Sequence, residues 1–126
     1  MKRLTFAFCI LLILGFYNWF AEKYVINFCK EIDSILESCA VEIKEEKYSQ
    51  AEKTVSKLYN LWEERDVLMS VFIGDNYVIE PQKGIISIRL SLKDENYDEC
   101  LISIRECQGY IHEIIENNRT SFGNVL

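Results

Sequence analysis

Residues 4–21 read LTFAFCILLILGFYNWFA, eighteen in succession without a charge, and no other feature of the chain limits its fold so sharply. Wound as a helix, the segment is about 27 Å long, close to the hydrocarbon thickness of a bilayer. It is apolar on every face, so it has no polar side to turn to water. Such a helix needs lipid or the middle of a large protein around it, and the 105 residues that follow are too few to wrap it. Tyr17, Asn18 and Trp19 gather at the far end, where rings with a polar handle favour the membrane interface. Lys2 and Arg3 precede the segment. Positive charge is retained on the cytoplasmic side, so the expected location is the cell membrane, single-pass, with the N-terminus cytoplasmic and the body extracytoplasmic. Lys23 and Lys30 beyond the segment weaken that asymmetry.

Other readings of the segment are less favourable. A cleaved secretory signal wants a small residue where Trp19 stands. A lipoprotein modified at Cys9 would have only five residues between Arg3 and the lipidated position. A buried helix of a soluble bundle would need more surrounding protein than the chain has. The expected organisation is therefore a short cytoplasmic start and transmembrane helix over 1–21, then one extracytoplasmic helical domain over 22–126.

Charge narrows the partners. The formal charge is −6; Lys2 and Arg3 contribute +2, so residues 22–126 carry −8. Nucleic acid requires a basic face and is excluded as an expected partner. Flat adsorption on anionic lipid is disfavoured for the same reason. The expected partners are the lipid bilayer, through residues 4–21, and an unidentified protein.

The body reads as helices with few interruptions, since the whole chain has one Pro and five Gly. The first helix is expected to continue out of the membrane to about residue 44. Val25, Phe28, Ile32, Ile35, Leu36, Cys39 and Ile43 recur at steps of three and four along it. A turn at Glu45-Glu46-Lys47 leads to a second helix over about 48–69, with Ala51, Val55, Leu58, Leu61, Trp62 and Leu68 inward. Gly74-Asp75-Asn76 is the clearest turn signal, and Phe72 and Ile73 before it are placed to fold back on the core. Residues 77–92 are ambiguous. Ile86, Ile88, Leu90 and Leu92 alternate as in a strand, whereas Ile85, Ile88, Arg89 and Leu92 keep helical spacing and Pro81 suits a first helical turn. A strand would lack a partner for its backbone groups, which favours the helix. A last helix is expected over about 97–117, with Cys100, Leu101, Ile104, Cys107, Ile111, Ile114 and Ile115 inward. Beyond it, Phe122, Val125 and Leu126 either dock on the bundle or contact another protein.

A faint repeat runs through this pattern. Tyr48, Ala51, Val55, Leu58 and Trp62 are matched 49 positions later by Tyr97, Cys100, Ile104, Cys107 and Ile111. The period does not fit a tetratricopeptide array, and amphipathic helices resemble one another in any case. The expected fold is all-α: a single N-terminal transmembrane helix followed by a small bundle of amphipathic antiparallel helices, two helical hairpins, weakly repeat-like.

Chemistry-bearing residues are sparse. The single histidine opens the run His112-Glu113-Ile114-Ile115-Glu116, which begins like a zinc-protease helix but has Glu116 where the second histidine belongs. His112 and Glu116 are one turn apart and would need a third ligand from elsewhere. Cys29, Cys39, Cys100 and Cys107 are spaced for packing. Neither Cys29 with Cys39 nor Cys100 with Cys107 can bond within one helix, at about 10 Å or more of rise, which leaves a cross-helix bridge or four buried thiols. Asn118-Arg119-Thr120 fits a glycosylation acceptor. There is no Gly-rich phosphate loop and no nucleophile beside the histidine. The expectation is no enzyme, no cofactor, and no catalytic, cofactor-binding or metal residues.

The whole layout resembles an uncharacterised bacterial family catalogued as domain of unknown function 4363. The features that carry the likeness are the apolar segment 4–21 and the stretch Tyr48-Ser49-Gln50-Ala51 leading to Leu58-Tyr59-Asn60-Leu61-Trp62. The third is the closing run Ser121-Phe122-Gly123-Asn124-Val125-Leu126. Pro81 and the number of cysteines depart from the family pattern. The resemblance implies a short, membrane-anchored, all-helical protein and implies no enzyme, ligand or partner. The function expected is a protein-interaction or structural module on the outer side of the cytoplasmic membrane. The alternatives are a small accessory subunit of a membrane complex, with Asn18 or Cys9 against a neighbouring helix, and a metal-binding or enzymatic module around His112.

Overall fold

A computed structural model describes the backbone of residues 1–125 and the side chains of residues 1–118. It contains α1 (Lys2–Lys44), α2 (Tyr48–Ile73), α3 (Asp75–Lys93) and α4 (Tyr97–Val125). Each helix packs on two neighbours, α1 on α2 and α4, and α3 on α2 and α4. The result is a square four-helix bundle in which chain neighbours are spatial neighbours, as short connections between antiparallel helices require. The bundle uses only the second part of α1. From Val25 onward α1 buries Phe28, Cys29, Ile32, Leu36, Cys39, Ala40 and Ile43, whereas its large apolar side chains from Leu4 to Phe20 are exposed. This single helix is long and apolar enough at its start to cross a membrane.

The ambiguity over residues 77–92 resolves as helix, and burial shows why. Ile85, Ile88 and Leu92 are in the core, while Ile86 and Leu90 of the alternating set are exposed. Three sequence expectations need correction. First, Pro81 is not in the first turn: α3 begins at Asp75, so Pro81 lies inside the helix and forgoes the backbone bond to Tyr77. Its ring is buried and fills the core at a place where an isoleucine or leucine would otherwise stand. Second, α2 runs to Ile73, and its inward stripe passes through Met69 rather than Leu68, which is 42% exposed. Seven residues after Trp62 is two helical turns, which returns Met69 to the same face. Third, α4 continues past residue 117 to Val125. The expected docking of Phe122, Val125 and Leu126 falls outside the described side chains.

The two hairpins are built alike. After α1 and again after α3, three residues reverse the chain, and the middle one takes the left-handed conformation, Glu46 at φ 61° and Glu95 at φ 59°. The closing bonds match as well. Lys47 N–H donates to Glu42 O at 2.8 Å, and Asn96 N–H donates to Ser91 O at 2.8 Å. This is the paired-bond ending that satisfies the last free carbonyls of a helix. The second connection is tighter: Gly74 alone joins α2 to α3, at φ 91°, a conformation open to glycine.

Candidate functional site

Polar side chains inside and around the bundle sit at the helix interfaces. Between α1 and α4, Arg105 Nη1 donates to Glu37 Oε2 at 2.8 Å and to Gln108 Oε1 at 2.8 Å, while Gln108 Nε2 donates to Glu37 Oε2 at 3.0 Å. The Gln108 bond first, then the Arg105 bond and charge, hold the Glu37 carboxyl below its usual range. Between α1 and α2, Thr54 Oγ1 donates to Glu42 Oε1 at 2.6 Å, and the Arg65 guanidinium lies 5.4 Å from the Phe28 ring centre. Between α2 and α3, Arg89 sits 4.4 Å over Tyr59. Between α3 and α4, the Ser87 and Ser103 hydroxyls are 2.9 Å apart. Each of these groups contacts another helix, by a hydrogen bond or over a ring, which fixes register; these contacts do not converge on a common point where a substrate atom could sit.

His112 is exposed, and its Nε2 is 3.2 Å from Asp33 Oδ1 on α1. The pair is within ion-pair distance but lacks hydrogen-bond geometry, and Asp33 Oδ1 has no hydrogen-bond partner among the described residues. Sequence reading linked His112 to Glu116 along one helix and missed Asp33, because the partner comes from a helix 79 positions earlier. Among the described residues no group of three metal-ligating side chains forms. The grooves on the bundle lie between neighbouring helices, such as the one lined by Phe72, Ile73, Tyr77, Ile114, Asn117 and Asn118. Asn118 of the glycosylation tripeptide has its amide nitrogen buried and without a hydrogen-bond partner among the described residues.

All five cysteines are free thiols, four of them buried. Burial pushes Cys29, Cys39 and Cys107 up to about 12 and raises Cys100 as well. Raised thiols carry little thiolate at neutral pH, which fits side chains that pack in the core. The Cys107 thiol points to Pro81 O at 3.7 Å and the Cys100 thiol to Ile88 O at 3.6 Å, both across the α3–α4 interface.

What the residues do build is a junction between the apolar start of α1 and the bundle. Tyr17, Phe20, Tyr24 and Phe28 succeed one another on α1, and Phe72 near the end of α2 meets two of them. Its ring centre is 5.9 Å from that of Tyr17 and 5.5 Å from that of Tyr24, both edge-on. Tyr24 in turn stacks on Phe28 at 6.4 Å, and Phe28 meets Trp62 at 5.8 Å with the rings tilted by 30°. An aromatic path thus runs from the last turn of the uncharged segment into the centre of the core. Lys23 lies 5.3 Å from the Trp19 ring at the same level.

The family described as Domain of unknown function (DUF4363) matches residues 19–125. That span takes in the bundle and the aromatic junction from Phe20 onward, and leaves Tyr17 and most of the apolar segment outside. Neither the curated proteins nor the solved structures contain a match to this chain.

Proposed function

Because the chain belongs to the DUF4363 family over residues 19–125, a family described only as of unknown function, we propose from geometry and chemistry that it is a membrane-anchored protein-interaction or structural module. The supporting observation is the continuity of α1. One helix, Lys2–Lys44, is exposed and apolar at one end and is a full wall of the bundle at the other. The anchor and the body are thereby one rigid piece rather than two units on a tether. A body held at fixed height and orientation suits lateral contact with another protein of the same membrane. The register-fixing polar pairs and buried thiols assign the interior to stability. In this reading the protein is not an enzyme, Lys2 and Arg3 keep the N-terminus cytoplasmic, and the body is extracytoplasmic.

Two measurements test this. Alkaline washing of membranes should leave the intact chain in the pellet, and an impermeant amine reagent should modify body lysines such as Lys57 in unbroken cells. Release in the wash would remove the anchor, and modification only after lysis would reverse the sidedness. Crosslinking in intact membranes should then capture a partner through body residues; crosslinks confined to Cys9 or Asn18 would instead favour an accessory subunit held within the bilayer.

A further inference from the structure

We propose that the α2–α3 end of the bundle is itself a membrane-contact surface, seated in the headgroup region of the bilayer that α1 crosses; this rests on the reading of α1 as an anchor. The argument begins with depth. Glu22 is the first charge after the uncharged segment, and Tyr17 lies five residues before it, about 7.5 Å deeper along the helix axis. Phe72 contacts both Tyr17 and Tyr24, so the last turn of α2 is level with the boundary between the segment and its polar continuation. Ile73 and Gly74 follow, and the chain turns there into α3. The turn therefore reaches toward the bilayer as far as the interfacial residues of α1 do.

The side chains at this end fit such a place. Val67 and Val71, one turn apart on α2, are 74% and 65% exposed, and Leu68, Tyr77 and Ile79 are exposed with them. Val67 and Ile79 line one cleft between α2 and α3 with Val78, Ser70, Gln82, Asp66 and Asp75. The opposite end of the bundle differs: its turns are Glu45-Glu46-Lys47 and Asp94-Glu95-Asn96, all exposed. Val41, Leu90 and Ile102 are exposed toward that other end, but only the patch on α2 and α3 stands beside the helix that enters the membrane, joined to it by the Phe72 contacts. Asp66 and Asp75 specify the kind of lipid contact. They repel anionic headgroups, so the contact is by apolar insertion and proceeds on zwitterionic lipid.

The test uses the full-length chain in phosphatidylcholine vesicles. The four body cysteines are buried and Cys9 is exposed, so the native protein takes an environment-sensitive thiol dye at Cys9. The Cys9→Ser background takes it at Val71→Cys or, at the far end of α2, at Ser49→Cys. With quenchers attached to the upper acyl chain, dye at positions 9 and 71 should lose emission, and dye at position 49 should not. Loss at position 9 without loss at position 71 overturns the contact surface and keeps the anchor. No loss at either overturns both. A blue-shifted dye at position 71 that lipid quenchers do not reach means that protein, a second copy or another chain, covers the patch, and this also overturns the proposal. Adding phosphatidylserine should weaken the quenching at position 71; strengthening it would overturn the insertion mode.

Discussion

The hairpins α1–α2 and α3–α4 correspond at a shift of 49 residues over nearly their whole packed length. Cys29, Ile32, Leu36, Cys39 and Ile43 are buried in the first where Val78, Pro81, Ile85, Ile88 and Leu92 are buried in the second. The return helices match in the same way, with Ala51, Val55, Leu58 and Trp62 against Cys100, Ile104, Cys107 and Ile111. Helix ends coincide too: Lys44 with Lys93, Tyr48 with Tyr97. The correspondence stops at Asp75, which begins α3 and falls opposite Ile26. There α1 does not begin but continues upstream into the uncharged segment. The two hairpins thus make the bundle together, and what lies outside their common part is the anchor. The asymmetry of the molecule, and with it the capacity to be placed on a membrane, is concentrated at the end where the match fails.

The largest expected difference between the hairpins is at the pair Trp62 and Ile111. Both are fully buried, but Trp62 closes the aromatic path from Tyr24 through Phe28. Trp62→Ala should cost about 3–5 kcal/mol, since it leaves the larger cavity, and Ile111→Ala about 2–5 kcal/mol and less than its counterpart. Denaturant unfolding of the detergent-solubilised chain, followed by circular dichroism, measures both. Equal losses would mean that the two hairpins carry the core evenly. Trp62→Phe should cost less than either, because the indole nitrogen it removes is buried without a hydrogen-bond partner among the described residues.

A smaller effect separates the hairpins at Gly84, which matches Ile35. A Cβ placed on Gly84 would lie 3.2 Å from Cys107 Cβ, so α3 and α4 approach more closely here than an ordinary side chain allows. Gly84→Leu should destabilise by about 1–3 kcal/mol through overpacking. Gly84→Ala should have a much smaller net effect, because helix propensity offsets the tight contact. A thermal melt unchanged by Gly84→Leu would show that the second hairpin has room to spread.

Smaller again is the coupling between Tyr48 and Tyr97, the first residues of the two return helices. Their rings stack with centres 3.8 Å apart and planes within 6°. A double-mutant cycle with leucine at each position should give a favourable coupling well below the core truncations; additivity would show that the hairpins meet without recognising each other at that end.

This stacking shows how much of the molecule its sequence discloses. The repeat that places Tyr48 and Tyr97 at equivalent positions is visible in the chain, and so are the helices, the inward stripes and the apolar start, because periodicity is a local property. The direct contact of the two rings is not visible, since it depends on which helices become neighbours. Pro81 and Leu68 were misplaced for a related reason. A helix start cannot be located to within a turn by spacing alone, and a stripe assigned from Leu68 ignores that Met69 completes the two-turn step from Trp62. Phe72 was legible as a residue folding back on the core, which it does, but its contact with Tyr17 was not. Its height against Tyr17 follows from the antiparallel return of α2 along α1, and that is a fact of tertiary packing.

The last prediction concerns the interface that closes the square, α1 against α4, where Arg105 and Gln108 both bond Glu37 and the repeat offers no counterpart to Arg105 with Glu37. The Glu37 carboxyl is held below its ordinary value of 4.5, first by Gln108 and then by Arg105. A carboxylate whose folded-state pKa is depressed contributes stability that is fully present above the unfolded value and is lost as pH falls through the folded one. Glu37→Gln should therefore lower the melting temperature slightly at neutral pH, and the gap to the native chain should close as pH falls below 4.5. The effect is small because both side chains of the ion pair are about half exposed, and water and salt screen it. Added salt at neutral pH should narrow the gap as acid does. If the gap instead widened in acid, the bonds that Gln108 and Arg105 make to Glu37 would not be those that hold α1 to α4.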